Sequence, residues 1–238
     1  LGELGALETL LRRLDAVEGL DQIRVSYLQP AEIRPGLIET MCAIDKVVPY
    51  FDLSFQHAAP AVLRRMRRFG DPESFLGLIG RIRERAPRAG IRSNVIVGFP
   101  GETEQEFEEL LDFLDEAQLD RVGAFAYSPV EGAKANELPD PVDEGVKQER
   151  LARFMERQAA ISEARLAAKV GTVQQVIVDA IDGELAIARS MADAPEIDGL
   201  VQVQDGREAG LAPGDFAMVR IMGNDEHDLY GEVDYAAG

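Results

Sequence analysis

The chain has 238 residues, 46% hydrophobic and 29% charged, a globular balance with room for one large domain or two smaller ones. Its net charge of −18 argues against a general nucleic-acid or anionic-membrane surface, because the field would repel phosphate. One cysteine, Cys42, leaves no internal disulfide and fits a reducing cytoplasm. Within its apolar helical stretch Cys42 reads as buried packing.

No apolar run is long enough to span a membrane, and no signal peptide is visible. The chain opens on Leu1, inside a helical pattern, and reads as a fragment with residues missing upstream.

Leu4, Leu7, Leu11 and Leu14 predict a helix over 3–16. Ile23 to Leu28 reads as a strand that Gln29-Pro30 ends. Residues 31–45 read as a helix with Pro35 early in it, where proline is tolerated. Tyr50 to Phe55 is the next strand. Pro60 opens a helix through Met66, Gly70-Asp71-Pro72 breaks it, and 73–85 is helical again.

Ser93 to Val97 is a β-branched run that fits a strand buried on both faces. Gly98-Phe99-Pro100-Gly101 ends it, and Thr103 with Glu106 forms a capping box that starts a helix through about Ala117. Its apolar stripe is Phe107, Leu110, Leu111 and Leu114. Arg121 to Ala126 is the last strand of this series. Strands alternating with helices predict a parallel sheet, here a partial (βα) barrel of the TIM type, because so few units cannot close eight strands. The glycine loop then lies at a strand's carboxyl end, where such folds bind ligands. Its spacing matches neither a P-loop nor a dinucleotide fingerprint, so spacing names no ligand.

A loop over 132–141 leads to a long polar helix from Val142 to about Lys169, closed by Gly171. Lysine then disappears. Short strands at 173–180, 184–190, 200–204, 216–222 and 229–233 alternate with turns at Asp182-Gly183, Asp198-Gly199, Asp205-Gly206 and Pro213-Gly214. This predicts a small five-stranded, OB-like β-barrel. The domains are therefore expected at 1–141, 142–171 and 172–238. From Thr172 onward there are three arginines against fourteen acidic residues, a difference of −11.

V-G-F-P-G-E-T at 97–103, Y-F-D-L-S-F-Q-H at 50–57 followed by L-R-R-M-R-R, Y-S-P-V-E-G-A at 127–133, and A-R-S-M-A-D-A-P-E-I-D-G at 188–199 occur in one order. Together they resemble the radical S-adenosylmethionine methylthiotransferases, with a terminal TRAM barrel. The match leans to the branch that modifies an aspartate of the twelfth small-subunit ribosomal protein. The resemblance implies S-adenosylmethionine and two [4Fe–4S] clusters. One cluster, on a Cys-x3-Cys-x2-Cys loop, would cleave S-adenosylmethionine to a radical; the other would deliver sulfur. Such clusters need several thiolates, and this chain has Cys42 alone, so the piece is expected to be inactive by itself.

By the same resemblance, Gln56, Arg92, Gly98, Phe99, Tyr127 and Ser128 are the expected cofactor-binding residues. Gln56 would hydrogen-bond the ribose, the backbone of Gly98 and Phe99 would meet the adenine edge, and Arg92 would pair with a carboxylate. No catalytic residue and no metal ligand is expected. His57 reads as a structural hydrogen-bonder. The acidic barrel suits a basic ribosomal protein better than RNA, and the chain is expected to be monomeric. The arginines at 64, 65, 67 and 68 read as partners of a helix C-terminus. A transfer-RNA methylthiotransferase is the competing enzyme, and a non-catalytic acidic adaptor the competing class.

Overall fold

The computed structural model describes residues 5–236 and divides into two compact units, Leu1–Gln158 and Ala159–Gly238. In the first, helices α1 (Ala6–Asp15) and α2 (Pro35–Ala43) precede strand β1 (Tyr50–Gln56). Helices α3 (Pro60–Arg65) and α4 (Pro72–Arg85), strand β2 (Gly90–Val97), helix α5 (Glu104–Ala117) and strand β3 (Arg121–Ala126) follow. The three strands form one parallel sheet in the order β1-β2-β3. Leu4, part of the expected first helix, lies outside the described residues.

The βα unit at the centre forms as its residues dictate. Thr103 Oγ1 accepts the Glu106 amide at 3.2 Å and Glu106 Oε2 accepts the Thr103 amide at 2.8 Å, the two halves of a capping box. The Phe107, Leu110, Leu111 and Leu114 stripe is buried, each side chain contributing roughly 1.5–3 kcal/mol. A second box, Asp71 with Ser74, opens α4. Phe55 of β1 meets Phe75 of α4 and Phe113 of α5 at 4.4 and 5.5 Å between ring centroids, so three elements share one aromatic core.

Three expectations need correction. Ile23 to Leu28 makes two parallel bridges, Ile23 to Val47 and Leu28 to Leu53, but no continuous strand. Tyr27 between them has φ 59°, which interrupts an extended run. β2 is fully buried on one face only: Ile91, Ser93, Val95 and Val97 are buried, while Arg92, Asn94 and Ile96 are half-buried. They face the side of a sheet that does not close on itself. Cys42 is exposed rather than packed. Even so, partial burial raises its thiol pKa, with nearby Arg85 opposing.

Helix α6 (Glu144–Ala167) continues the chain into the second unit. There Gly171, at φ 83°, ends the helical run and donates its amide to Ile221 O at 2.8 Å. Strands β4 (Val173–Asp182), β5 (Leu185–Ser190), β6 (Val201–Val203), β7 (Phe216–Asn224) and β8 (Leu229–Val233) close into a barrel in the order β4-β5-β6-β8-β7. Small side chains fill it, among them Val176, Ala186, Ala188, Val201, Val219 and Ile221. The turn residues set the strand ends where the sequence placed them to within two residues.

Candidate functional site at the carboxyl ends of the sheet

Parallel strands deliver their carboxyl ends to one edge, and three chain segments meet there. β1 ends on Gln56, whose φ of 68° puts a non-glycine residue in the left-handed region. Such strain costs of order 1–2 kcal/mol and persists only where surrounding contacts impose it. β2 ends at Val97, followed by Gly98 with φ 70°, and β3 at Ala126, followed by Tyr127.

A buried polar cluster holds the first two ends together. Glu102, with no exposed side-chain surface, accepts the Gly98 amide on both carboxylate oxygens at 2.9 and 3.0 Å. Arg150 of α6 donates to Glu102 Oε1 at 2.8 Å and to the Glu102 carbonyl at 3.1 Å. His57 Nε2 lies 3.3 Å from Glu102 Oε2, close but not aligned for a hydrogen bond. His57 Nδ1 accepts the Ala59 amide at 3.0 Å, which makes Nε2 the protonated nitrogen of the neutral ring. His57 is thus structural, as expected. It directly follows Gln56, and its ring packs against the Glu102 carboxylate while it accepts the Ala59 amide.

The loop after β3 closes the side. The Tyr127 amide donates to Val97 O at 2.9 Å and its hydroxyl to Asn136 Oδ1 at 2.8 Å. Its ring meets Phe99 edge-on at 5.1 Å. The Gly101 amide donates to Asp140 O at 2.7 Å, so the two loops are stitched. Lys147 of α6 lies against Gly98, where an added Cβ would come within 2.4 Å of its Cγ.

These elements enclose a cavity of about 310 Å³ whose lining includes Gln56, Phe99, Arg65, Arg67, Arg68 and Lys134. Four of its lining side chains are cationic and none is acidic. Arg65 is paired with Glu106 at 2.8 Å, yet its Nε is buried without a partner. Burial works against Glu106 ionising, but Arg65 and the Thr103 cap win and its pKa is lowered. Arg68 donates to the neutral Gln29 Oε1 at 2.8 Å.

Of the residues expected here, Gln56 and Phe99 line the cavity, and Gly98 and Tyr127 form the loops behind it. Ser128 is exposed on the loop after β3. Arg92 is not brought to the group: in register it faces Asp52 and Arg121, five residues before the end of β2. There it pairs with Asp52 at 3.4 Å. Sequence reasoning missed Arg67, Arg68 and Lys134. The run at 64–68 was visible, but its direction was not.

The expected groups fare differently against these residues. The cavity offers an amide, an aromatic edge and cations, groups that can meet a ribose hydroxyl, an adenine and the carboxylate of S-adenosylmethionine. An iron–sulfur cluster does not fit, because the chain has one cysteine and the described residues hold no group of three His, Cys, Asp or Glu placed for a metal.

From Thr172 onward all three arginines are committed. Arg189 pairs with Asp179 at 3.0 Å, Arg207 with Glu184 at 3.8 Å and Arg220 with Asp234 at 2.7 Å. The barrel surface is left with its excess of carboxylates. No helix among the described residues is long and apolar enough to cross a membrane.

Comparison with known proteins agrees with this geometry. Residues 4–114 match the radical SAM superfamily and residues 170–233 match the TRAM domain. The ribosomal protein uS12 methylthiotransferase RimO of Stenotrophomonas maltophilia (strain K279a) is 57% identical over 232 residues, 96% of this chain and 51% of that protein. RimO of Xanthomonas oryzae pv. oryzae (strain PXO99A) is 56% identical over 220 residues, 91% of this chain and 48% of its own. Among solved structures, coproporphyrinogen III oxidase (HemN) from Escherichia coli, a radical SAM enzyme, shares the fold with a TM-score of 0.50 at 16% identity, over 86% of this chain and 51% of that one. The chain spans about half the length of the curated relatives it matches. With a superfamily match over its sheet, a TRAM match over its barrel and this level of identity along nearly its whole length, the chain belongs to the radical S-adenosylmethionine methylthiotransferase family.

Proposed function

We propose that this chain forms the S-adenosylmethionine wall and the client-docking barrel of a cytoplasmic methylthiotransferase acting on ribosomal protein uS12. The cavity at the strand ends carries this reading, because an anion-seeking pocket sits at the ligand edge of a parallel sheet inside a chain of net charge −18. The Gln56 amide would hydrogen-bond a ribose hydroxyl. The backbone at Gly98 and Phe99 would meet the adenine edge, with Tyr127 fixing the Phe99 ring. Arg68, anchored only by a neutral amide, would pair with the cofactor carboxylate. When bound, S-adenosylmethionine supplies the homolytic carbon–sulfur chemistry. The residues here orient it and shield it from water. The thiolates for any cluster must be supplied by residues other than these.

Docking of a basic ribosomal protein on the barrel is supported by ion-paired arginines and surplus carboxylates, which favour cationic clients and disfavour RNA. Calorimetric titration of the chain with S-adenosylmethionine tests the first half. Saturable binding is expected, weakened roughly tenfold or more in Arg68→Gln, the size of a lost charge-assisted contact. A flat titration of the folded wild-type chain would sink it. Salt-sensitive binding of uS12, with no shift of transfer RNA in a gel, is expected for the second half; tight transfer-RNA binding would favour the transfer-RNA enzyme instead.

A further inference from the structure

The cavity holds more positive charge than one cofactor carboxylate can use. Of its four cations, Arg65 is neutralised by Glu106, and Arg68 suffices for one carboxylate. Arg67 and Lys134 remain. Neither side chain has a hydrogen-bond or ion partner among the described residues. Uncommitted cations sharing one concave wall repel one another and raise the local potential until an anion arrives.

The backbone fixes one of them there at a cost. Arg67 has φ 58°, held by its amide on Arg64 O at 3.0 Å and by the Arg68 amide on Leu63 O at 2.8 Å. Arg67 follows the C-cap of α3, and this left-handed turn ends the helix where the Arg67 side chain lines the cavity. Lys134 lines the cavity from the segment after β3, which the Tyr127–Asn136 bond steadies. Apolar Met66, Ile96, Phe99 and Leu138 line the same cavity. Apolar side chains within a charged pocket suit a polypeptide client better than a nucleic-acid backbone.

We propose that Arg67 and Lys134 form a second anion subsite in this cavity, which grips a side-chain carboxylate of the protein substrate next to the cofactor. The inference rests on the cofactor reading above, since it assigns Arg68 to the cofactor and leaves the other two for the client. It makes Arg67 and Lys134 specificity-determining residues for an acidic side chain.

The test is an NMR titration of the full chain, with and without S-adenosylmethionine, using N-acetyl-aspartate N-methylamide as probe. The matching asparagine compound and inorganic phosphate are the controls. The aspartate probe is expected to bind at least about tenfold more tightly than the asparagine one, as for a lost charge-assisted contact. The Arg67→Gln/Lys134→Gln double variant is expected to lose that preference while its S-adenosylmethionine affinity stays within about threefold of wild type, less than one charge-assisted bond is worth. Equal binding of the two probes, or an unchanged preference in the double variant, overturns the proposal. So does phosphate displacing the aspartate probe at equal concentration, which would mark a nucleic-acid backbone site. Aspartate binding without any S-adenosylmethionine binding would sink the cofactor reading alone. Cofactor binding without aspartate binding would sink the subsite alone.

Discussion

The Arg150 guanidinium sits 2.8 Å from Glu102 Oε1, and the two side chains are 5% and 0% exposed. One residue belongs to α6 and the other to the glycine loop, so a long helix braces the end of β2. Removing one partner of such a pair leaves a buried charge, at a cost of about 3–5 kcal/mol. Arg150→Met should therefore lower the melting temperature of the chain by about 10 °C. Glu102→Gln/Arg150→Met should recover part of the loss in thermal unfolding. A drop no larger than that of an exposed arginine such as Arg88 would show that the pair does not brace the loop.

Gly98 offers a separate probe of the same loop. Alanine at φ 70° is strained, and its Cβ would press on Lys147 Cγ. Gly98→Ala should cost about 1–2 kcal/mol in urea unfolding from the backbone alone. Adding Lys147→Ala should relieve the clash without removing that backbone penalty. Full recovery in the double variant would place the cost in the contact and not in the conformation.

Arg68 and Arg92 separate height along the strand from chemistry. Arg68→Gln should weaken S-adenosylmethionine by about tenfold or more, whereas Arg92→Gln should leave that affinity within about twofold and reduce stability by about 1–3 kcal/mol, through the buried Asp52 it would strand. The reverse ranking in calorimetry would return the carboxylate role to Arg92.

The β7–β8 turn predicts a pH effect. Asp225 accepts the Tyr230 hydroxyl and the backbone amides of Asp228 and His227, which lower its pKa from 3.8 to about 2. A carboxyl depressed in the folded state stabilises it fully above its unfolded pKa, and that contribution drains away as pH falls towards the folded value. The His227 and Asp228 amide shifts should titrate with a midpoint near 2. The acid sensitivity between about 4 and 2 should shrink in Asp225→Asn. A midpoint at the ordinary aspartate value would contradict the hydrogen bonds assigned to this turn.

What could be read from residues alone was what local chemistry decides. Thr103 and Glu106 announced α5 because a cap needs only its own first turn, and Asp-Gly pairs announced barrel corners for the same reason. The Gln56, Gly98 and Tyr127 edge followed from alternating strands and helices. Arg92 was misjudged because strand height depends on register, which needs the partners Asp52 and Arg121. Arg67 and Lys134 escaped because they reach one cavity only once the segments following β1 and β3, strands separated by β2, are both in place, one on a left-handed residue and the other carried on a loop. Ile23 to Leu28 had the composition of a strand, and Tyr27 alone broke it.

β3 has hydrogen bonds to β2 on one flank, and among the described residues no strand takes the other. Half of its peptide groups therefore point outward along a bare rim beside Phe125, which is 59% exposed. The closed barrel offers no such rim. Concentrated stocks should accordingly stick together through the sheet and not through the barrel, and deuterium should enter the outer amides of β3 long before those of β2.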